Sequence, residues 1–110
     1  MSQRPGQQLE NGKLVYQCLC CEQFTLDEAG CCCDCMRCGW CDDPDGNNYP
    51  TERHSPNYRS LTELRDIVRR FGFGAACGAN RAGGIRAAEL ERMTANELSK
   101  LRTWEEESKH

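Results

Sequence analysis

The chain is short of histidine, of apolar runs and of positive charge. It has two histidines in 110 residues. His54 falls in a turn-rich stretch and His110 is terminal, and neither has metal-ligand spacing to a cysteine pair. No segment approaches the roughly 18 consecutive apolar residues of a membrane span. The polar start, Met1-Ser2-Gln3-Arg4-Pro5-Gly6, does not lead into the apolar run of a secretion signal. A cytoplasmic, reducing setting is therefore expected, in which cysteine pairs more often hold metal than form disulfides. The net charge of −3 counts against a strong general affinity for nucleic acid. No nucleophile elbow, phosphate loop or paired catalytic acids stand out, so a non-enzymatic protein is expected.

Apolar side chains are also scarce. Hydrophobic residues make up 38% of the chain with cysteine counted among them. One domain of this size with so thin a core calls for a covalent or metal staple.

Cysteine is what the chain has in excess. Nine of the ten lie between Cys18 and Cys41. Cys18 and Cys21 form one Cys-x-x-Cys pair, and Cys35 and Cys38 form another. Such a pair makes a tight turn whose amides face the sulfurs, and two turns supply four thiolates to one tetrahedral zinc. Free or disulfide-bonded cysteine is the bland alternative. A redox Cys-x-x-Cys is disfavoured because no strand-helix-strand unit surrounds it. Cys38 and Cys41 offer a competing second pair, and spacing alone leaves the choice open. Cys20, Cys31, Cys32, Cys33 and Cys41 are either a second zinc site or small core side chains. Cys77 is isolated in a Gly/Ala stretch and reads as inert.

The rest of the chain organises around this cluster. Residues 1–12 read as a disordered lead-in, residues 13–72 as the metal-binding domain and residues 73–110 as a helical extension. Lys13 to Tyr16 and Phe24 to Leu26 predict short strands, and Cys31 to Asp34 a third. Asp42 to Asn48 reads as a loop rather than a calcium site, because the glycine of an EF-hand loop is misplaced. Asp42 and Asp43 are expected as turn or supporting groups. Ser60-Leu61-Thr62-Glu63 is a capping box, and Leu61, Leu64, Ile67, Val68 and Phe71 follow as one apolar stripe. Gly72 is placed to stop that helix in a left-handed cap. Residues 72–84 read as loop, Ile85 to Met93 as a short helix, and Thr94-Ala95-Asn96-Glu97 as a second capping box. That box opens a helix through Leu98, Leu101 and Trp104, and residues 105–110 are expected to fray.

These residues resemble the cysteine-rich CPCC family of small bacterial proteins. Its pattern is Tyr-x-Cys-Pro-Cys-Cys-Gly, a Thr-Leu stretch, Cys-Pro-x-Cys-x-Trp-x-Asp-Asp-Pro, then a Ser-Leu helix ending in Phe-Gly. Here stand Tyr16-Gln17-Cys18-Leu19-Cys20-Cys21, Thr25-Leu26, Cys35 to Pro44, and Ser60 to Gly72. The resemblance covers residues 16–72. It implies zinc, with Cys18, Cys21, Cys35 and Cys38 as ligands and Trp40 packed beside them. Leu19 and Met36 replace prolines, Glu22 replaces a glycine, and Cys31, Cys32, Cys33 and Cys41 are additional. The tail beyond about Gly72 looks unrelated, and the family brings no assigned activity with it.

The expected fold is α+β: a small zinc-ribbon-like β domain, one helix packed on it, and a helical extension. The expected function is a zinc-held module that binds an unidentified protein, in an immunity-like role. Nucleic-acid binding through Arg65, Arg69, Arg70 and Arg81 is the alternative, with metal storage or sensing as a third reading.

Overall fold

The computed structural model describes residues 6–30 and 32–108. Three strands form an antiparallel sheet in the order β1 (Gly6–Gln8), β2 (Leu14–Gln17), β3 (Phe24–Leu26). Gln8 lies opposite Leu14 and Tyr16 opposite Leu26, with a bulge between Tyr16 and Gln17. Among the described residues six helices follow: α1 (Pro44–Asn48), α2 (Leu61–Phe71), α3 (Phe73–Ala79), α4 (Ala87–Arg92), α5 (Ala95–Ser99) and α6 (Trp104–Glu107). The α+β expectation holds. No helix among the described residues is long and apolar enough to cross a membrane.

The α2 helix forms where its sequence pattern places it. Ser60 Oγ accepts from Glu63 N at 3.1 Å, and Glu63 Oε1 accepts from Ser60 N at 3.1 Å. Two of the otherwise orphaned amides at the helix start are thus satisfied. Leu61, Leu64 and Ile67 are buried from the same face. They meet Leu26, Trp40, Ala75, Ala76, Ala79 and Leu90, and the buried sulfurs of Cys18, Cys20, Cys35 and Cys38 complete the core. Truncating a wholly buried leucine such as Leu64 to alanine costs about 2–5 kcal/mol, a large share of the stability of so small a domain.

Several elements differ from expectation, each for a tertiary reason. Residues 6–8 of the expected disordered lead-in form β1, because β2 offers them a paired edge; residues 1–5 lie outside the described residues. The expected strand at 31–34 reduces to one isolated bridge between Asp34 and Cys41, and Cys31 is outside the described residues. Asp42 to Asn48 is not all loop, since Asp43 Oδ2 accepts from Gly46 N at 3.0 Å and caps α1. Gly72 has the expected positive φ of 97°, but its ψ of 177° is extended. It ends α2 and at once begins α3, where a loop was expected. The expected helix through Trp104 breaks after Ser99, and Thr103 opens α6 with its own capping box to Glu106. Of the tail expected to fray, residues 105–107 are helical, and residues 109–110 lie outside the described residues.

Candidate metal centre

Two loops carry the four paired cysteines, and they share one backbone pattern. In the first, Cys18 N donates to Gln23 O at 2.8 Å and Glu22 N donates to Cys18 O at 2.9 Å. In the second, Cys35 N donates to Trp40 O at 2.8 Å and Gly39 N donates to Cys35 O at 2.8 Å. The residue after each second cysteine takes a positive φ, 64° at Glu22 and 83° at Gly39. Each loop is therefore a knuckle that turns two sulfurs to the same side. The first lies between β2 and β3, and the second follows the Asp34 bridge.

The knuckles face each other. Cys18 Sγ is 3.6 Å from Cys38 Sγ, and Cys21 Sγ is 3.7 Å from Cys35 Sγ. All four ligand atoms lie within 4.8 Å of one another. A tetrahedron of sulfurs with metal–sulfur bonds of zinc length has edges of about 3.8 Å; two of the six edges here match that length, and the rest lie within 4.8 Å. Cys18, Cys35 and Cys38 are wholly buried and Cys21 is half-buried. These four residues could hold a metal ion.

The electrostatics point the same way. Four neighbouring thiols cannot all ionise unaided. Hydrogen bonds from Cys18 foremost, then Cys21 and Cys38, hold Cys35 far below the ordinary thiol range. Cys18 is driven far above that range by its hydrogen bonds to Cys21 and Cys35. Cys38 rises chiefly through Cys18 and Cys20. Ionising one sulfur thus opposes ionising its neighbours, and a bound divalent cation would relieve that opposition.

Neighbouring groups fix the cluster. The Thr25 hydroxyl lies 3.0 Å from Cys35 Sγ, and Cys20 N donates to Cys18 Sγ at 3.4 Å. Arg65 Nε donates to Leu19 O at 2.8 Å, tying α2 to the first knuckle. The second knuckle is held by the tail: Glu105 N donates to Met36 O at 2.9 Å, and Cys77 Sγ donates to Arg37 O at 3.2 Å. Cys77 Sγ also accepts from Trp104 N at 3.4 Å. Burial pushes this thiol up to about 12, which suits the inert role expected for it. Trp40 is wholly buried in the core beside the cluster, its Nε1 donating to Asn47 Oδ1 at 2.9 Å.

The competing ligand Cys41 stands outside the four-sulfur group, its Sγ donating to Cys32 O at 3.3 Å. No second group of three or more potential ligands converges among the described residues, so Cys20, Cys32 and Cys33 do not assemble a further site there. His54 is also outside the cluster, with Nε2 3.9 Å from Glu52 Oε2. Asp42 and Asp43 are supporting groups. Asp42 accepts from Gly30 N at 2.6 Å and Asn47 Nδ2 at 2.8 Å.

Two residues with no local signature complete the frame. Asn57 Oδ1 accepts from Cys41 N at 2.9 Å, and its Nδ2 donates to Cys41 O at 3.0 Å. Asn80 Nδ2 donates to Gly39 O at 2.8 Å, and its Oδ1 accepts from Tyr58 N at 2.6 Å. The Thr-Leu stretch of the family pattern marks Thr25, and the Thr103–Glu106 box marks the helix start that carries Glu105, but neither signals the contact itself.

Sequence comparison extends the resemblance. None of the curated proteins matches the chain. The cysteine-rich CPCC family matches it over residues 16–92. The tail read as unrelated after Gly72 is thus family sequence as far as Arg92, and α3, within that part, supplies Cys77 and lies one residue before Asn80. Two matched knuckles, the helix packed behind them and a family match over most of the chain agree: this protein belongs to the cysteine-rich CPCC family.

Proposed function

We propose that the protein is a zinc-held, non-catalytic module that binds another protein. The observation that carries the metal reading is the convergence of Cys18, Cys21, Cys35 and Cys38 at sulfur spacings of 3.6 and 3.7 Å. Four thiolates favour zinc over the hard cations that take oxygen ligands. They also form a closed, electron-rich set, with little Lewis acidity left for catalysis. The ion's role is then to fold the chain, as the thin core demands. One converged cluster among the described residues favours structure over storage.

A protein partner is favoured over nucleic acid because the arginines are engaged at home. Arg69 and Arg70 pair with Asp66, Arg70 also reaches Glu91 at 3.0 Å, Arg81 lies 3.5 Å from Glu107, and Arg65 binds the Leu19 carbonyl. Exposed pairs of this kind stabilise little, but they dilute the positive field that phosphate binding needs. Met36, Tyr49 and Tyr58 are large apolar side chains left exposed for contact. An immunity-like role in the cytoplasm is the form of this reading that a small acidic protein suits.

Cobalt substitution tests the site. The tetrathiolate reading expects strong sulfur-to-cobalt charge-transfer bands and tetrahedral d–d bands, lost when zinc is added back. A spectrum of octahedral oxygen-bound cobalt rejects it. Gel shifts on mixed DNA and RNA at low salt test the partner class, and a clear shift rejects the protein-only reading.

A further inference from the structure

Cys32 and Cys41 are two cysteines that the four-sulfur centre does not use. The segment 32–34 runs antiparallel to 40–42, with Asp34 bridged to Cys41. Cys35 N donates to Trp40 O at 2.8 Å, and Asp42 N donates to Cys33 O at 2.9 Å. In such a ribbon alternate residues share a face, so Cys32, Asp34, Cys41 and Asp43 lie together and Cys33 lies opposite. Cys32 Sγ is accordingly 3.7 Å from Asp43 Oδ1.

Diagonal neighbours on a regular ribbon stand somewhat too far apart for a disulfide. Cys32 is not regular. Its φ is 63°, rare for a residue with a side chain, and its N donates to Asp42 O at 3.2 Å. The kink draws it inward until Cys41 Sγ meets the Cys32 carbonyl oxygen at 3.3 Å, two bonds from the Cys32 Cα. The two thiols are close enough to affect each other's protonation. Their accessibilities differ, Cys32 being exposed and Cys41 buried.

We propose that Cys32 and Cys41 are a modification site for low-molecular-weight disulfides, with Cys32 as the attacking thiol and Cys41 as the resolving thiol. Deprotonated Cys32 Sγ attacks one sulfur of the small disulfide. That S–S bond breaks, and one small thiolate leaves and takes up a proton. Cys41 Sγ then attacks Cys32 Sγ in the mixed disulfide, and the second small thiol leaves. The two protein thiols give up two electrons and two protons, and the small disulfide is reduced to two thiols. The product closes a loop around the Cys35–Cys38 knuckle and leaves the four-sulfur cluster untouched. Desolvation foremost, then Asp43 beside Cys32 and Asp34 beside Cys41, disfavours the thiolates, so the exchange is slow at neutral pH and quickens as pH rises.

The test is incubation of the reduced full-length protein with oxidised glutathione at pH 8, alkylation, digestion without reduction, and mass spectrometry. The expected product is a single Cys32–Cys41 crosslink, with the urea midpoint shifted upward. In Cys41→Ser the glutathione adduct on Cys32 persists unresolved. In Cys32→Ala, a change at an exposed position, uptake of glutathione by Cys41 is at least tenfold slower. A crosslink from Cys32 to any other cysteine, a glutathione adduct that persists in the wild type, or an unreactive Cys32 overturns the proposal. If Cys41→Ser does not fold, the wild-type crosslink map and Cys32→Ala still decide it.

Discussion

Asn80 Nδ2 lies 2.7 Å from Asn57 Oδ1, and both side chains are buried. Through this pair the end of α3, the segment before α2 and the second knuckle become one hydrogen-bonded unit. Asn57 grips both backbone groups of Cys41, and Asn80 grips the Gly39 carbonyl. Neither residue has a water-facing alternative for its polar atoms, so each is held in one geometry by the groups it satisfies.

Asn80→Ala should therefore be among the most damaging single changes outside the cysteines. It strips hydrogen bonds from the Gly39 carbonyl and the amides of Tyr58 and Arg59. Unsatisfied buried groups of this kind cost about 1–3 kcal/mol each, so a loss of about 3 kcal/mol or more is expected. Urea unfolding of the metal-loaded protein measures it. A loss within about 0.5 kcal/mol, the range of ordinary surface changes, would show that the network is dispensable.

Glu22→Gly should stabilise the protein. Glu22 sits at φ 64° where the family pattern has glycine, and the left-handed region costs a residue with a Cβ roughly 1–2 kcal/mol. Part of that gain is offset by the greater freedom of glycine in the unfolded chain, leaving about 0.5–1 kcal/mol. Gly39→Ala is the mirror experiment. At φ +83° its Cβ would lie 3.0 Å from Cys77 Cα, and a loss of roughly 2 kcal/mol or more is expected from strain and overpacking together. Thermal melts of both variants check the pair, and opposite signs are required.

Cys35→Ser and Cys41→Ser separate the two candidate ligand sets. The geometry puts Cys35 in the sulfur tetrahedron and Cys41 outside it. Elemental analysis should find the ion lost or at least tenfold more weakly held in Cys35→Ser, and retained at wild-type stoichiometry in Cys41→Ser. The reverse result would move the site to the Cys38–Cys41 pair.

Much of this was legible in the chain itself. The Ser60–Glu63 box and the stripe from Leu61 to Phe71 are local signals, and they specify α2 to the residue. The two Cys-x-x-Cys pairs are equally local, because six consecutive residues build each knuckle. The α3 helix was not legible. Its Gly/Ala sequence is a weak helix former, and it forms because small residues allow close approach: a side chain at Gly74 would collide with the Leu101 carbonyl. β1 is stable only through its partner strand. Asn57 and Asn80 act across 23 residues of sequence, and no periodicity reports such a contact. The Thr103–Glu106 box was a local signal that the longer helix expectation overran.

The Cys77 thiol makes stability fall at alkaline pH. Burial raises it from 9.0 to about 12, so the folded chain holds this proton more tightly than the unfolded chain does. The contribution is complete below pH 9 and declines as pH rises toward 12, at up to about 1.4 kcal/mol per pH unit. Cys77→Ala loses packing at every pH but should flatten that decline. Urea midpoints of the two proteins from pH 8 to 11, with parallel curves, would contradict the assignment.

The central claim is that a metal ion held by Cys18, Cys21, Cys35 and Cys38 folds this chain. Native mass spectrometry of the reduced protein before and after a strong chelator, with circular dichroism on the same samples, tests it directly. The account predicts one zinc per chain, its removal by chelator, and loss of the folded signal with it. A reduced protein that carries no ion and still gives the compact, folded signal would contradict it.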